Sequence, residues 1–85
     1  MRVIILTRPD TDYARTVDTF VTDFARQTGR ELEVMVADSK EAESIALTYD
    51  IVEYPTIIAI SDDGQMQNMW SGTSLPTISE VSYYA

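Results

Sequence analysis

The chain opens on an apolar run, Val3-Ile4-Ile5-Leu6, which Pro9 and Asp10 bring to an end. A short, unbroken, β-branched run of this kind predicts a strand covered on both faces. Tyr13, Val17, Phe20, Val21, Phe24 and Thr28 then recur at helical spacing, with Arg15, Asp18, Thr22, Asp23 and Arg26 on the other side. The pattern predicts an amphipathic helix over residues 11–28, begun by Asp10 or Thr11 as its cap and ended by Gly29. Leu32-Glu33-Val34-Met35-Val36 alternates apolar and acidic at its start, as an edge strand does. Asp38 or Ser39 is placed to cap a shorter helix whose apolar positions are Ala42, Ile45, Ala46 and Tyr49.

A second apolar strand follows at Thr56-Ile57-Ile58-Ala59-Ile60. Asp62-Asp63-Gly64 reads as a hairpin turn, with Gly64 supplying a positive φ, and residues 65–71 return as the paired strand. Residues 74–84 complete the chain as a short helix with Pro76 near its first turn. The order is β-α-β-α-β-β-α. A strand–helix–strand unit implies a parallel pair, and a tight turn implies an antiparallel one. One mixed four-stranded sheet with helices on both faces satisfies both.

The length of 85 residues limits the chain to one domain, residues 1–85. Composition then removes chemistry. Without cysteine there is no disulfide, thiolate nucleophile or zinc–thiolate site, and without histidine the usual proton shuttle and commonest metal ligand are missing. The net charge is −8, and all six cations fall in residues 1–42. Such a surface repels phosphate backbones and anionic lipid, favours solubility, and attracts a basic partner. The expected partner class is therefore protein or peptide, with no nucleic acid and no membrane. No apolar stretch is long enough for a signal peptide or a membrane span, so a cytoplasmic location is expected; the chain is also expected to be a monomer.

Three segments resemble the thioredoxin and glutaredoxin superfamily. Residues 3–14, from Val3 through Arg8-Pro9-Asp10-Thr11 to Ala14, are similar to a glutaredoxin first strand running into its active-site loop. Tyr49-Asp50-Ile51-Val52-Glu53-Tyr54-Pro55-Thr56 resembles the segment that passes through a cis-proline into the third strand. Asp62-Asp63-Gly64 and Trp70-Ser71-Gly72 resemble the family's hairpin and the glycine after its fourth strand. The resemblance implies a thioredoxin-like α/β fold. It also implies that Thr11, Asp12, Tyr13 and Ala14 stand where active members carry Cys-x-x-Cys, and that the Tyr54–Pro55 bond is cis.

A threonine hydroxyl at Thr11 needs a strong adjacent base to become a nucleophile, and Ala14 carries no functional group at all. Thiol–disulfide exchange is excluded for this sequence, and no cofactor or catalytic residue is expected. Asp10 and Asp12 are better suited to helix capping than to a metal, and Asp62-Asp63 lies at the other end of the sheet. The carboxylates of Asp10 and Asp12 also oppose a retained glutathione site, although Arg8 partly offsets them. The leading functional expectation is a non-catalytic peptide groove between the first helix and the Tyr54–Pro55 turn. Tyr13, Tyr54 and Trp70 would form an aromatic patch there beside Pro9, Pro55 and Gly72. The alternatives are a cysteine-free variant of a thiol–disulfide oxidoreductase and an enzyme of unrecognised nonredox activity.

Overall fold

The computed structural model describes every residue from Met1 to Ala85. Seven elements follow one another as β1 (Arg2–Thr7), α1 (Ala14–Thr28), β2 (Glu33–Val36), α2 (Lys40–Tyr49), β3 (Thr56–Ile60), β4 (Met66–Ser71) and α3 (Ile78–Ser82). The strands form one sheet in the order β2-β1-β3-β4. β1 runs parallel to β2 and antiparallel to β3, which is in turn antiparallel to β4. The radius of gyration is 11.9 Å, close to the roughly 12 Å expected for this length.

β1 and β3, apolar throughout Val3–Leu6 and Ile57–Ile60, take the centre because only there are both faces covered. Side chains alternate across a strand, so β1 and β3 feed two separate cores. Val3, Ile5, Ile57 and Ala59 meet Val17 and Phe24 of α1 and Val81 of α3. Ile4, Leu6, Ile58 and Ile60 meet Ala42 of α2 and Ile51. Each fully buried isoleucine or leucine contributes about 1.5–3 kcal/mol relative to exposure. β2 is an edge, with Glu33, Val34 and Val36 exposed.

Two helix starts differ from the sequence reading. α1 begins at Ala14 with Tyr13 as its N-cap and no side-chain cap, so neither Asp10 nor Thr11 serves. The Thr11 hydroxyl is occupied elsewhere, donating to the Arg8 carbonyl at 2.8 Å. α3 is only five residues long, and Pro76 lies outside it. Thr77 sets that start: its hydroxyl accepts from the Glu80 amide while Glu80 accepts from the Thr77 amide, a reciprocal box that satisfies two donors at once. Ser39, rather than Asp38, caps α2, accepting from the Ala42 amide at 3.2 Å.

At the end of the sheet that carries the hairpin, Arg2 holds Glu33 through two bonds of 2.9 and 3.0 Å and approaches Glu41 at 3.6 Å. The Arg2 hydrogen bond keeps the Glu33 carboxyl below its ordinary value, and the same bond raises the Arg2 guanidinium. In the turn itself, the Ser61 hydroxyl and the Gln65 amide lower the Asp63 carboxyl.

Candidate functional site

The chain leaves β1 at Thr7 and turns through exposed Arg8, Pro9 and Asp10. Thr11 to Ala14 form a single turn into α1, closed by the Ala14 amide on the Thr11 carbonyl at 3.3 Å. Thr11, Asp12, Tyr13, Thr16 and Thr73 line an open cavity of about 570 Å³. Its functional groups are hydroxyls, one carboxylate and one phenol. Thr11 already donates to the Arg8 carbonyl, and the chain has no histidine to withdraw its proton. No group of three or more acidic residues in the fold is placed to hold a metal ion.

Across the end of the sheet lies the Tyr54–Pro55 turn, whose peptide bond is cis. Pro55 is buried, and its carbonyl accepts from the Gly72 amide at 2.9 Å. Thr56 reinforces the turn, its hydroxyl donating to the Glu53 carbonyl at 2.6 Å and lying 3.4 Å from the Ser71 hydroxyl. Gly72 sits at φ 94°, a conformation that favours glycine. These bonds fasten residues 53–56 to residues 71–72. The Tyr54 amide and carbonyl take no hydrogen-bond partner within the chain.

The three aromatics expected to form one patch are divided by the sheet. Tyr54 packs on the α2 side with the core of Ile4, Leu6 and Ile58. Tyr13 and Trp70 pack on the α1–α3 side. Trp70 lies opposite Ile57 in the strand register and meets Tyr84 edge-on at 5.7 Å. The reason is strand parity: Trp70 is forced to the Ile57 face, while the turn before β3 throws Tyr54 to the other. Of the groove residues read from the sequence, Tyr54, Pro55 and Gly72 come together and Trp70 does not join them.

What accompanies Tyr54 is different. The Arg8 guanidinium lies 4.8 Å from the centre of the Tyr54 ring. Beyond them is a recess of about 400 Å³ between α2 and the loop that follows it, whose apolar wall includes Ala46, Leu47 and Val52. Leu47 is 86% exposed and Val52 81%, far more than the buried face of α2 requires. Asp38, Glu43 and Asp50 rim the recess, and none is engaged in an ion pair. Arg8 is the one cation on the wall. Sequence reasoning passed over Leu47 and Val52. The available signal was position: Leu47 stands off the stripe of Ala42, Ile45, Ala46 and Tyr49, and Val52 sits in a connecting loop.

No family model and no curated protein sequence matches the chain. Solved structures do. The chain is similar to thioredoxin 1 from the thermophilic eubacterium Thermosipho africanus, with a TM-score of 0.66 and 15% identity, over 99% of this chain and 89% of that one. It is also similar to a thioredoxin from Thermus thermophilus solved in solution, with a TM-score of 0.57 and 15% identity, over 95% of this chain and 67% of that one. At this identity the likeness concerns the fold. The chain has a thioredoxin-like fold and contains no cysteine with which to build a Cys-x-x-Cys site.

Proposed function

We propose that this domain is a redox-inactive, non-catalytic interaction module that takes an extended peptide segment along Tyr54–Pro55. The observation that carries the reading is the unpartnered backbone of Tyr54, presented beside a rigid turn and next to an apolar recess. An extended segment pairing there gains main-chain hydrogen bonds, and its side chains take specificity from the flanking recess. Leu47, Val52 and the Tyr54 ring supply apolar contact. Asp38, Glu43 and Asp50 favour a lysine or arginine beside the apolar residue, and the net charge of −8 speeds its approach at low salt. So small a surface supports affinity on the order of micromolar or poorer.

The test is an amide-shift titration with a panel of short peptides that pair an apolar residue with lysine or arginine. Shifts are expected at Arg8, at residues 46–55 and at Gly72. Leu47→Ser removes apolar contact at an exposed position and should weaken binding without unfolding the domain. Shifts spread over the whole acidic surface and abolished by moderate salt would refute a defined site. So would undiminished binding by Leu47→Ser.

A further inference from the structure

One edge of the sheet is unusual for the charge its own residues lack. From Gly64 to Ser79 the chain carries no charged side chain, although the whole molecule has a net charge of −8. This interval contains β4, which is an edge of the sheet and six residues long. Edge strands expose a row of unpaired amides and carbonyls, and folded proteins ordinarily guard them with charges or proline. The opposite edge is guarded: β2 begins at Glu33, with Arg30 and Glu31 just before it. β4 has neither charge nor proline. It exposes Met66 and Gln67 and leaves Met69 and Trp70 half-buried. Its screens are local: a register shift against β3 between Ala59 and Ile60, and the Met69 amide donating at 2.8 Å to the side-chain oxygen of its neighbour Asn68. That amide is thereby turned outward, away from β3.

We infer that the β4 edge is a self-association surface, on which a second copy of this chain pairs its own β4 antiparallel about a two-fold axis. Charge selects that occupant. Two copies of an acidic molecule repel wherever their carboxylates face each other, and β4 contributes none of its own, with Glu80 sharing a recess with Asn68 and Trp70 and Glu53 lying beside Gly72. Geometry selects the register. In an antiparallel pair, opposed residues point to the same face. Met69 lies on the α2 side, whereas Asn68 and Trp70 lie opposite Ala59 and Ile57 and so face the α1–α3 side. With Met69 opposite its own symmetry mate, the outward amide of each copy reaches the carbonyl of the other. Asn68 then stands across from the partner copy's Trp70 on both sides of the axis. The contact is isologous and closes at two subunits, joining the two sheets into one of eight strands.

The seam is short, so the dimer is weak, on the order of 100 µM or poorer, and dilute protein is monomeric. Its salt dependence is diagnostic. Screening relieves repulsion between two acidic copies, so salt strengthens this association, whereas it weakens one driven by opposite charges.

The experiment is sedimentation velocity together with concentration-dependent amide shifts, on the intact chain, at low salt and at about 0.5 M salt. Two variants add the same charge at exposed positions: Gln67→Glu on β4 and Gln27→Glu on α1. The expected result is growth toward twice the monomer mass as concentration rises, favoured by salt, with shifts centred on residues 66–71. Gln67→Glu should weaken it at least tenfold, because each copy then adds a carboxylate two residues from the axis and like charges meet across the seam, while Gln27→Glu leaves it nearly unchanged. The amide spectrum of each variant establishes that it is folded. A mass that stays monomeric up to about millimolar protein would overturn the inference. So would shifts centred on β2 or on the Tyr54 recess, or equal weakening by the two variants. The peptide titration of the recess is read independently, at protein concentrations where only monomer is present.

Discussion

Two buried threonines, one at each of two neighbouring strand ends, should respond in opposite directions to the same substitution. Thr7 closes β1 at 8% exposure, and its hydroxyl is buried without a hydrogen-bond partner. Thr56 opens β3 at 0% exposure, but its hydroxyl donates to the Glu53 carbonyl at 2.6 Å and lies near Ser71. Valine keeps the β-branched shape in both places and exchanges the hydroxyl for a methyl. At Thr7 the exchange removes a desolvated, unpaired group whose burial costs about 1–3 kcal/mol. Because a little solvent still reaches the residue, Thr7→Val should stabilise the fold by about 1 kcal/mol. At Thr56 the same exchange removes a made bond and frees a carbonyl at exposed Glu53, which can turn to water, so the loss should be about 1 kcal/mol. With a urea dependence of roughly 1 kcal/mol/M for a domain this small, the two midpoints should lie about 2 M apart, on either side of the wild type. Urea unfolding followed by circular dichroism measures this directly. A lowered midpoint for Thr7→Val would show that its hydroxyl does useful bonding in solution, and the argument from an orphaned group would fail.

Phe24, fully buried where α1 meets β1 and β3, should cost about 3–5 kcal/mol when truncated to alanine. That is a large part of the stability of an 85-residue domain, so Phe24→Ala should be largely unfolded on warming, and a melting temperature like the wild type's would contradict its place in the core. The turn from Thr11 to Ala14 brings those residues within disulfide range, so Thr11→Cys with Ala14→Cys should oxidise to a reducible bridge, detected by thiol titration. Failure to oxidise under mild conditions would count against that turn. Because Arg2 lowers the Glu33 carboxyl, the pair's contribution is complete above the carboxyl's unfolded value and is lost as pH falls through its lower folded value. The advantage of wild type over Glu33→Gln, under about 1 kcal/mol for so exposed a pair, should therefore vanish in acid, and an advantage that grew toward acid would refute the assignment.

The order of elements was legible in the sequence because each is announced by local physics. Apolar runs in β1 and β3, the helical stripe ending in Phe24 and Thr28, the turn at Asp62-Asp63-Gly64 and the left-handed Gly29 depend on neighbours within a few residues. The exclusion of thiol chemistry is more secure still, since it follows from composition and needs no fold. The helix starts were less legible because several capping residues compete. Thr11 bonds back to Arg8, so Tyr13 begins α1 uncapped, and Thr77 with Glu80 overrides Pro76.

The strand order, and with it the site, belonged to the tertiary structure. Nothing local states that β3 inserts between β1 and β4, yet that insertion decides which face each aromatic meets. Parity then places Trp70 with Tyr84 on one side and Tyr54 with Arg8 on the other. It also leaves Leu47 and Val52 without cover beside Tyr54, and leaves β4 as an uncharged edge. A sequence specifies which residues avoid water. Which of them fail to do so is decided only when elements distant in the chain have packed and covered the others, because burial is a property of the assembled surface.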